Sequence, residues 1–93
     1  MEFEWDEDKN EINKLKHGIS FEAALLIFSA GYIVLGSRVV NGERRALVLG
    51  SLEEYGVILV VKTDRNNNTR LISARKASRK ERSFYYANQK SIA

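Results

Sequence analysis

Residues able to hold a phosphate are concentrated at one end of the chain. Residues 62–93 carry Lys62, Arg65, Arg70, Arg75, Lys76, Arg79, Lys80, Arg82 and Lys90 against only Asp64 and Glu81. Residues 1–30 are acidic and residues 31–61 are balanced. A basic third beside acidic and neutral parts is the electrostatic footprint of a polyanion binder, or else a solvated basic face that aids solubility. Arg75 closes an expected strand just before a helix, and its planar fork suits two phosphate oxygens. The alternative is a salt bridge to an acidic residue of the first helix. Arg65 lies in the preceding turn, either reaching the same groove or simply exposed. Arg79 and Arg82 lie three apart on one helical face, and Lys76 and Lys80 four apart on a second row.

Two residues near the N-terminal third can move protons. His17 is the only side chain here whose ordinary pKa lies near neutrality, which makes it the natural acid–base candidate. It also stands beside Gly18 at a helix end, where a His commonly satisfies terminal carbonyls. Lys16 beside it is a candidate cation or base. Glu81 is either a helix cap or a catalytic carboxylate. Tyr85 and Tyr86 are either stacking platforms for bases or contacts to a core or partner.

Several chemistries are excluded. Cysteine is absent, so there are no disulfides, thiolate metal sites or cysteine nucleophiles. One His rules out zinc sites built from several imidazoles within one chain. There is no Gly-rich phosphate loop, no Ser-His-Asp spacing and no paired carboxylate motif. No metal and no cofactor is expected. No apolar run approaches the roughly 20 residues needed to cross a bilayer. The start, Met1-Glu2-Phe3-Glu4-Trp5-Asp6, is acidic and has no signal-peptide stretch, so a cytoplasmic location is expected. The 93 residues suit a single domain over 1–93 with one modest core.

The elements that must position these residues follow from pattern. Phe3 and Trp5 alternate with Glu2 and Glu4, as in a short edge strand. Asp6 caps a helix to about Lys16, and Gly18 ends it. Ser20 caps a second helix whose buried face is Phe21, Ala24, Leu25 and Phe28, with Gly31 as its stop. From Tyr32 the chain turns β-branched. Asn41-Gly42 marks a two-residue hairpin turn, because a type I′ turn needs positive φ twice. Val57 to Val61 is apolar without alternation and reads as a central strand. Asn66 and its neighbours are turn chemistry, and Thr69 to Ala74 is another strand. Ser78-Arg79-Lys80-Glu81 is a capping box that opens a last helix. The expected fold is α+β: two N-terminal helices, about four antiparallel strands, and a C-terminal helix. The helices should cover one face of the sheet, leaving the other partly open.

Three blocks carry a family resemblance. The first is Phe3-x-Trp5-Asp6-x-x-Lys9 followed by Asn13-x-x-Lys16-His17-Gly18-x-x-Phe21-x-x-Ala24-x-x-x-Phe28. The second is Gly42-Glu43-Arg44 ahead of Gly50. The third is Thr63-x-Arg65, then Arg70-Leu71-Ile72-Ser73-Ala74-Arg75-x-Ala77-x-x-x-Glu81-Arg82. Over about residues 3–86 the chain resembles the BrnT family of toxins, the ribonuclease halves of type II toxin–antitoxin pairs. Two features depart from the family pattern. Lys62 stands where family members often carry an aromatic or His, and the segment before Gly42 is shorter and less acidic.

The resemblance implies a RelE-like fold, metal-independent RNA cleavage and inhibition of translation. It also implies a BrnA-like antitoxin that covers the basic groove and supplies any contact to DNA. The candidate catalytic set is Arg75, Arg65, Arg79, His17 and Lys16. The candidate RNA-binding set is Lys62, Arg70, Lys76, Lys80, Arg82 and Tyr85. The proposal requires Arg65, Arg75, Arg79 and Arg82 to converge on one cradle. Two competing readings are a non-catalytic nucleic-acid-binding module and a degenerate toxin that acts only as a protein partner.

Overall fold

The computed structural model describes residues 2–91. In chain order the elements are β1 (Glu2–Glu4), α1 (Glu7–His17), α2 (Phe21–Ala24), α3 (Ile27–Ala30), β2 (Tyr32–Val40), β3 (Glu43–Leu52), β4 (Gly56–Arg65), β5 (Asn68–Lys76) and α4 (Arg79–Ala87). A single 3₁₀ turn, Gln89–Ser91, follows. The fold is α+β, built on a mixed five-stranded sheet.

Local chemistry sets the boundaries. The Asp6 side chain accepts the amides of Asp8 and Lys9, and Gly18 ends α1 in the left-handed conformation at φ 73°. Ser20 caps α2 through the amide of Ala23. Contrary to expectation, the second helix is split at Leu25–Leu26 into α2 and α3. Phe21, Ala24 and Ile27 are all fully buried. A spacing of three matches a tightened turn better than an α-helical one. The bonds Leu26 N–H to Ala23 and Phe28 N–H to Leu25 are of that tighter kind.

The sheet order is β1-β5-β4-β3-β2. The four long strands are antiparallel neighbours, and β1 adds a fifth strand, parallel to β5 through Glu2↔Asn68 to Glu4↔Arg70. The Asn41-Gly42 turn has φ of 51° and 79°, as the hairpin signal requires. A second two-residue turn, Asn66-Asn67 at φ 54° and 65°, joins β4 to β5.

The two faces of the sheet carry different covers. Val48, Ile58, Val60, Leu71 and Ala74 pack with Ile19, Phe21, Ala24 and Ile27 of the N-terminal helices. The alternate residues Ile33, Leu49, Val57 and Leu59 pack with Ala77 and Tyr85. The helices therefore do not share one face: α4 lies opposite α1–α3. The reason is the continuous apolar run of β4, which demands cover on both sides.

One irregularity decides which face the basic residues take. Val61 pairs with Ser73 and Lys62 with Leu71, so Ile72 is an extra residue in β5. Leu71 and Ala74, an odd number apart, thereby both face α1–α3. Arg70 and Arg75, also an odd number apart, both face the α4 side. Without the bulge one of them would be turned away.

Candidate nucleic-acid interface

The α4 side of the sheet is a field of arginines. Arg38 pairs with Arg45 across β2 and β3, and Thr63 with Arg70 across β4 and β5, with Glu4 beside Arg70 on β1. Arg45 falls opposite Thr63, one step beyond the pair Ala46↔Lys62. The hydroxyl of Thr63 donates to the Arg44 carbonyl at 2.9 Å and fixes that crossing. At about 4.8 Å per strand, this row spans roughly 14 Å from Arg38 to Arg70. Arg75 lies two same-face steps along β5, opposite Leu59, and Arg65 one step the other way. At about 3.3 Å per residue, Arg65 and Arg75 are therefore roughly 20 Å apart along the sheet.

α4 covers only the Ile33, Leu49, Val57 and Leu59 end of this face. Leu35 and Leu47 next to it are half-buried, as is Ser73. The result is an apolar floor with a basic rim, bounded on one side by α4.

Arg75 is held to that boundary by α4. Its Nη1 donates to Glu81 Oε1 at 2.9 Å and to the Lys76 carbonyl at 3.1 Å, and its Nη2 donates to Glu81 Oε2 at 3.0 Å. Glu81 completes the capping box of α4, accepting the Ser78 amide at 2.7 Å while Ser78 Oγ accepts the Glu81 amide at 3.2 Å. The bidentate bond to Arg75, aided by the Ser78 amide, holds the Glu81 carboxyl below the ordinary carboxylate range, against the opposing effect of burial. The same bond raises Arg75 above its ordinary value. The ion-pair alternative for Arg75 therefore holds, with a partner on α4 instead of the first helix. Glu81 is the helix cap, one of its two expected roles, and the same side chain is the partner of Arg75.

Other arginines of the field are partly neutralised. Arg70 Nη1 donates to Glu4 Oε2 at 2.8 Å, and Arg45 Nε to Glu43 Oε1 at 3.2 Å. Arg82 Nη1 donates to the Ala77 carbonyl at 3.0 Å, across the start of α4. Among the described residues, Arg38, Arg65, Arg79 and Lys80 make no ion pair. All four are exposed.

The structure gathers some expected residues and separates others. Arg79 and Arg82 belong to α4, the helix whose Glu81 holds Arg75, and Arg70 lies on the same sheet face as Arg75. Arg65 shares the face but lies at its far end, because the turn is two residues long and β4 runs up to it. Lys62 and Lys76 point to the opposite face, since their pairs Ala46 and Ile58 line the α1–α3 side. Lys62 is tied there to Asp64 at 2.8 Å. It lines a concavity of about 170 Å³ with Ser37, Arg44, Ala46, Thr63 and Asp64. Tyr85 is 5% exposed and anchors α4 in the core, so it offers no stacking surface. The exposed ring is Tyr86, which meets Tyr85 edge-on at 5.4 Å.

The position of Lys16 and His17 depends on a residue whose role pattern alone does not reveal. Asn13 is buried, its amide donating at 2.8 Å to the carbonyls of Ile19 and Ala74 and accepting the Ala74 amide at 3.2 Å. It stands in for a strand beside β5 where β1 has ended, and so ties the end of α1 next to Arg75. Lys16 and His17 follow within one turn, about 5 Å along the helix axis. Asn10, fully buried, accepts the Phe21 amide and donates to Glu7 and Glu22, locking α1 to α2. Asn13 shows in the sequence only within the first family block, and Asn10 only as a polar side chain on the inner side of a thinly apolar helix. Among the described residues no three His, Cys, Asp or Glu side chains lie together as a metal site would need. No helix there is long and apolar enough to cross a membrane.

The chain has counterparts among known proteins. The profile described as "Ribonuclease toxin, BrnT, of type II toxin-antitoxin system" matches residues 5–81. The chain belongs to the BrnT family. The crystal structure of the Brucella abortus ribonuclease toxin BrnT superimposes with a TM-score of 0.65 at 25% identity, covering 85% of this chain and 99% of that one. No curated protein matches the chain significantly. Membership of a BrnT toxin family implies ribonuclease activity, an RNA target and an antitoxin partner.

Proposed function

We propose that this BrnT-family protein is an endoribonuclease that cleaves RNA without a metal ion, using the ribose 2′-hydroxyl as nucleophile. A base takes the O2′ proton, the O2′–P bond forms, and the P–O5′ bond breaks as O5′ gains a proton. The products are a 2′,3′-cyclic phosphate and a 5′-hydroxyl. DNA lacks the nucleophile and is not cut.

The observation that carries this reading is the state of Arg75. Two of the three N–H groups it has engaged go to Glu81, and among the described residues its Nε–H and one Nη2–H have no partner. That side-on fork can take two phosphoryl oxygens as negative charge builds in the transition state. Arg79 and Arg82 add field from α4, and Arg70 guides the strand along the face. Lys16 and His17, at the end of the helix that Asn13 ties to the β5 edge, are the proposed proton carriers. An antitoxin laid over this face neutralises the protein by occupying it, contributes the contact to DNA, and its loss releases RNA cleavage that stops translation.

The test is cleavage of a single-stranded RNA by antitoxin-free protein in excess chelator. Wild-type protein should yield cyclic-phosphate ends. Arg75→Ala should lower the rate about 10²–10³-fold, as for loss of one transition-state donor. Intact RNA at stoichiometric wild-type protein sinks the proposal.

A further inference from the structure

We infer that Glu81 is the positioning residue of the Arg75 phosphate fork, which makes α4 a working part of the RNA site and not merely a cover for the sheet. This deepens the reading of Arg75 given above and rests on it.

A guanidinium has five N–H donors in one plane. Glu81 takes one from each terminal nitrogen, and the Lys76 carbonyl takes the second from Nη1. Three bonds from one planar group fix the orientation of the guanidinium. The two remaining N–H groups are parallel and lie on the same side, the arrangement that fits two phosphoryl oxygens. The Arg75 side chain is 39% exposed, so solvent alone would leave it free to change rotamer. The Glu81 side chain is only 17% exposed and is itself clamped by the Ser78 amide.

The clamp reaches back to the core. Tyr85 and Ala77 bury α4 against Ile33, Leu49, Val57 and Leu59. The Ala77 amide donates to the Val57 carbonyl at 3.0 Å. Core packing thus sets the first turn of α4, that turn sets Glu81, and Glu81 sets the direction of the open fork. A role confined to tying α4 to β5 would predict lost stability and nothing more.

The experiment compares the full chain with Glu81→Gln, Arg75→Lys and the double variant. Gln keeps the acceptor that Ser78 needs, so α4 and its cap should survive, with an unfolding midpoint within a few degrees. In wild-type protein the Arg75 Nη protons should give resolved NMR signals, and its Nε–H signal should shift on titration with inorganic phosphate. In Glu81→Gln the Nη signals should coalesce and the phosphate response should weaken. RNA cleavage should lose about 10²-fold in kcat, the cost of a roughly 1 Å misplacement, with KM changed less than threefold. The double variant should be no slower than Arg75→Lys, because Glu81 acts only through Arg75.

Unchanged kcat and resolved Arg75 signals in Glu81→Gln overturn the inference, as does an Arg75 Nε–H blind to phosphate in wild-type protein. If Arg75→Lys cleaves like wild type, the assignment of Arg75 to the RNA site fails. In that case the NMR measurements still decide whether Glu81 orients a phosphate fork.

Discussion

At the residue scale, the most consequential side chain after Arg75 is an amide. Asn13 pairs with both backbone groups of Ala74 and with the Ile19 carbonyl. Removing it leaves buried polar groups without partners, which costs more than the hydrogen bonds themselves gain. Asn13→Ala should lose about 2–4 kcal/mol in urea unfolding, the sum expected from two or more orphaned groups. Asn13→Asp should recover little, because a carboxylate can accept the Ala74 amide but cannot donate to either carbonyl. A loss below about 0.5 kcal/mol for Asn13→Ala would show that water replaces the amide and that β5 needs no stand-in strand. The sequence made Asn13 visible only as part of a motif, since an Asn in a helix usually signals a cap or a solvated position. The Arg75–Glu81 pair was legible in its halves: Ser78-x-x-Glu81 as a capping box, Arg75 as a strand-end cation. Their meeting depends on how the chain turns between β5 and α4, which no spacing rule encodes.

At the element scale, legibility tracks how local the cause is. Asn41-Gly42 fixes its own turn, Asp6 and Ser78 cap their own helices, and Gly18 ends its own, so these were readable from the residues. The parallel pairing of β1 with β5 joins Phe3 to Thr69 across the chain and has no local signature. The bulge at Ile72 is equally silent, yet it turns Arg70 and Arg75 to one face. The split of the second helix was readable in hindsight from the spacing of three between Phe21, Ala24 and Ile27. That split presses α3 onto β3 at Gly50, where an added Cβ would lie 2.6 Å from Cβ and 2.7 Å from Cγ2 of Ile27. Neither contact is the far end of a flexible chain. Gly50→Ala should therefore push α3 off the sheet and destabilise the protein by about 1–3 kcal/mol, the usual cost of overpacking a filled core. Chemical denaturation measures it. The same substitution at Gly36, which has open space around it, serves as the control and should change stability by less than about 0.5 kcal/mol.

At the scale of the whole molecule, the basic third of the sequence is not one surface. Folding sends Arg65, Arg70 and Arg75 to the α4 side and Lys62 and Lys76 to the other, because alternation and one bulge assign each side chain its face. Charge counting saw the excess and not its partition. The partition is measurable through salt. A single-stranded RNA bound by contacts to Z phosphates loses affinity with salt at a slope of about −0.7Z in logarithmic units. The α4 side offers Arg38, Arg65, Arg79 and Lys80, which have no carboxylate partners among the described residues, and Arg75 through its open fork. Three to five contacts predict a slope of roughly −2 to −3.5 for an RNA blocked at its 2′-positions so that it stays intact. Arg79→Gln should make that slope shallower by about 0.7. Lys62→Gln should leave it unchanged, because Lys62 faces the opposite side and is already paired with Asp64. An equal effect from both substitutions would mean that RNA wraps the sheet edge and contacts both faces. A single groove beside α4 would then be the wrong geometry for this toxin's substrate.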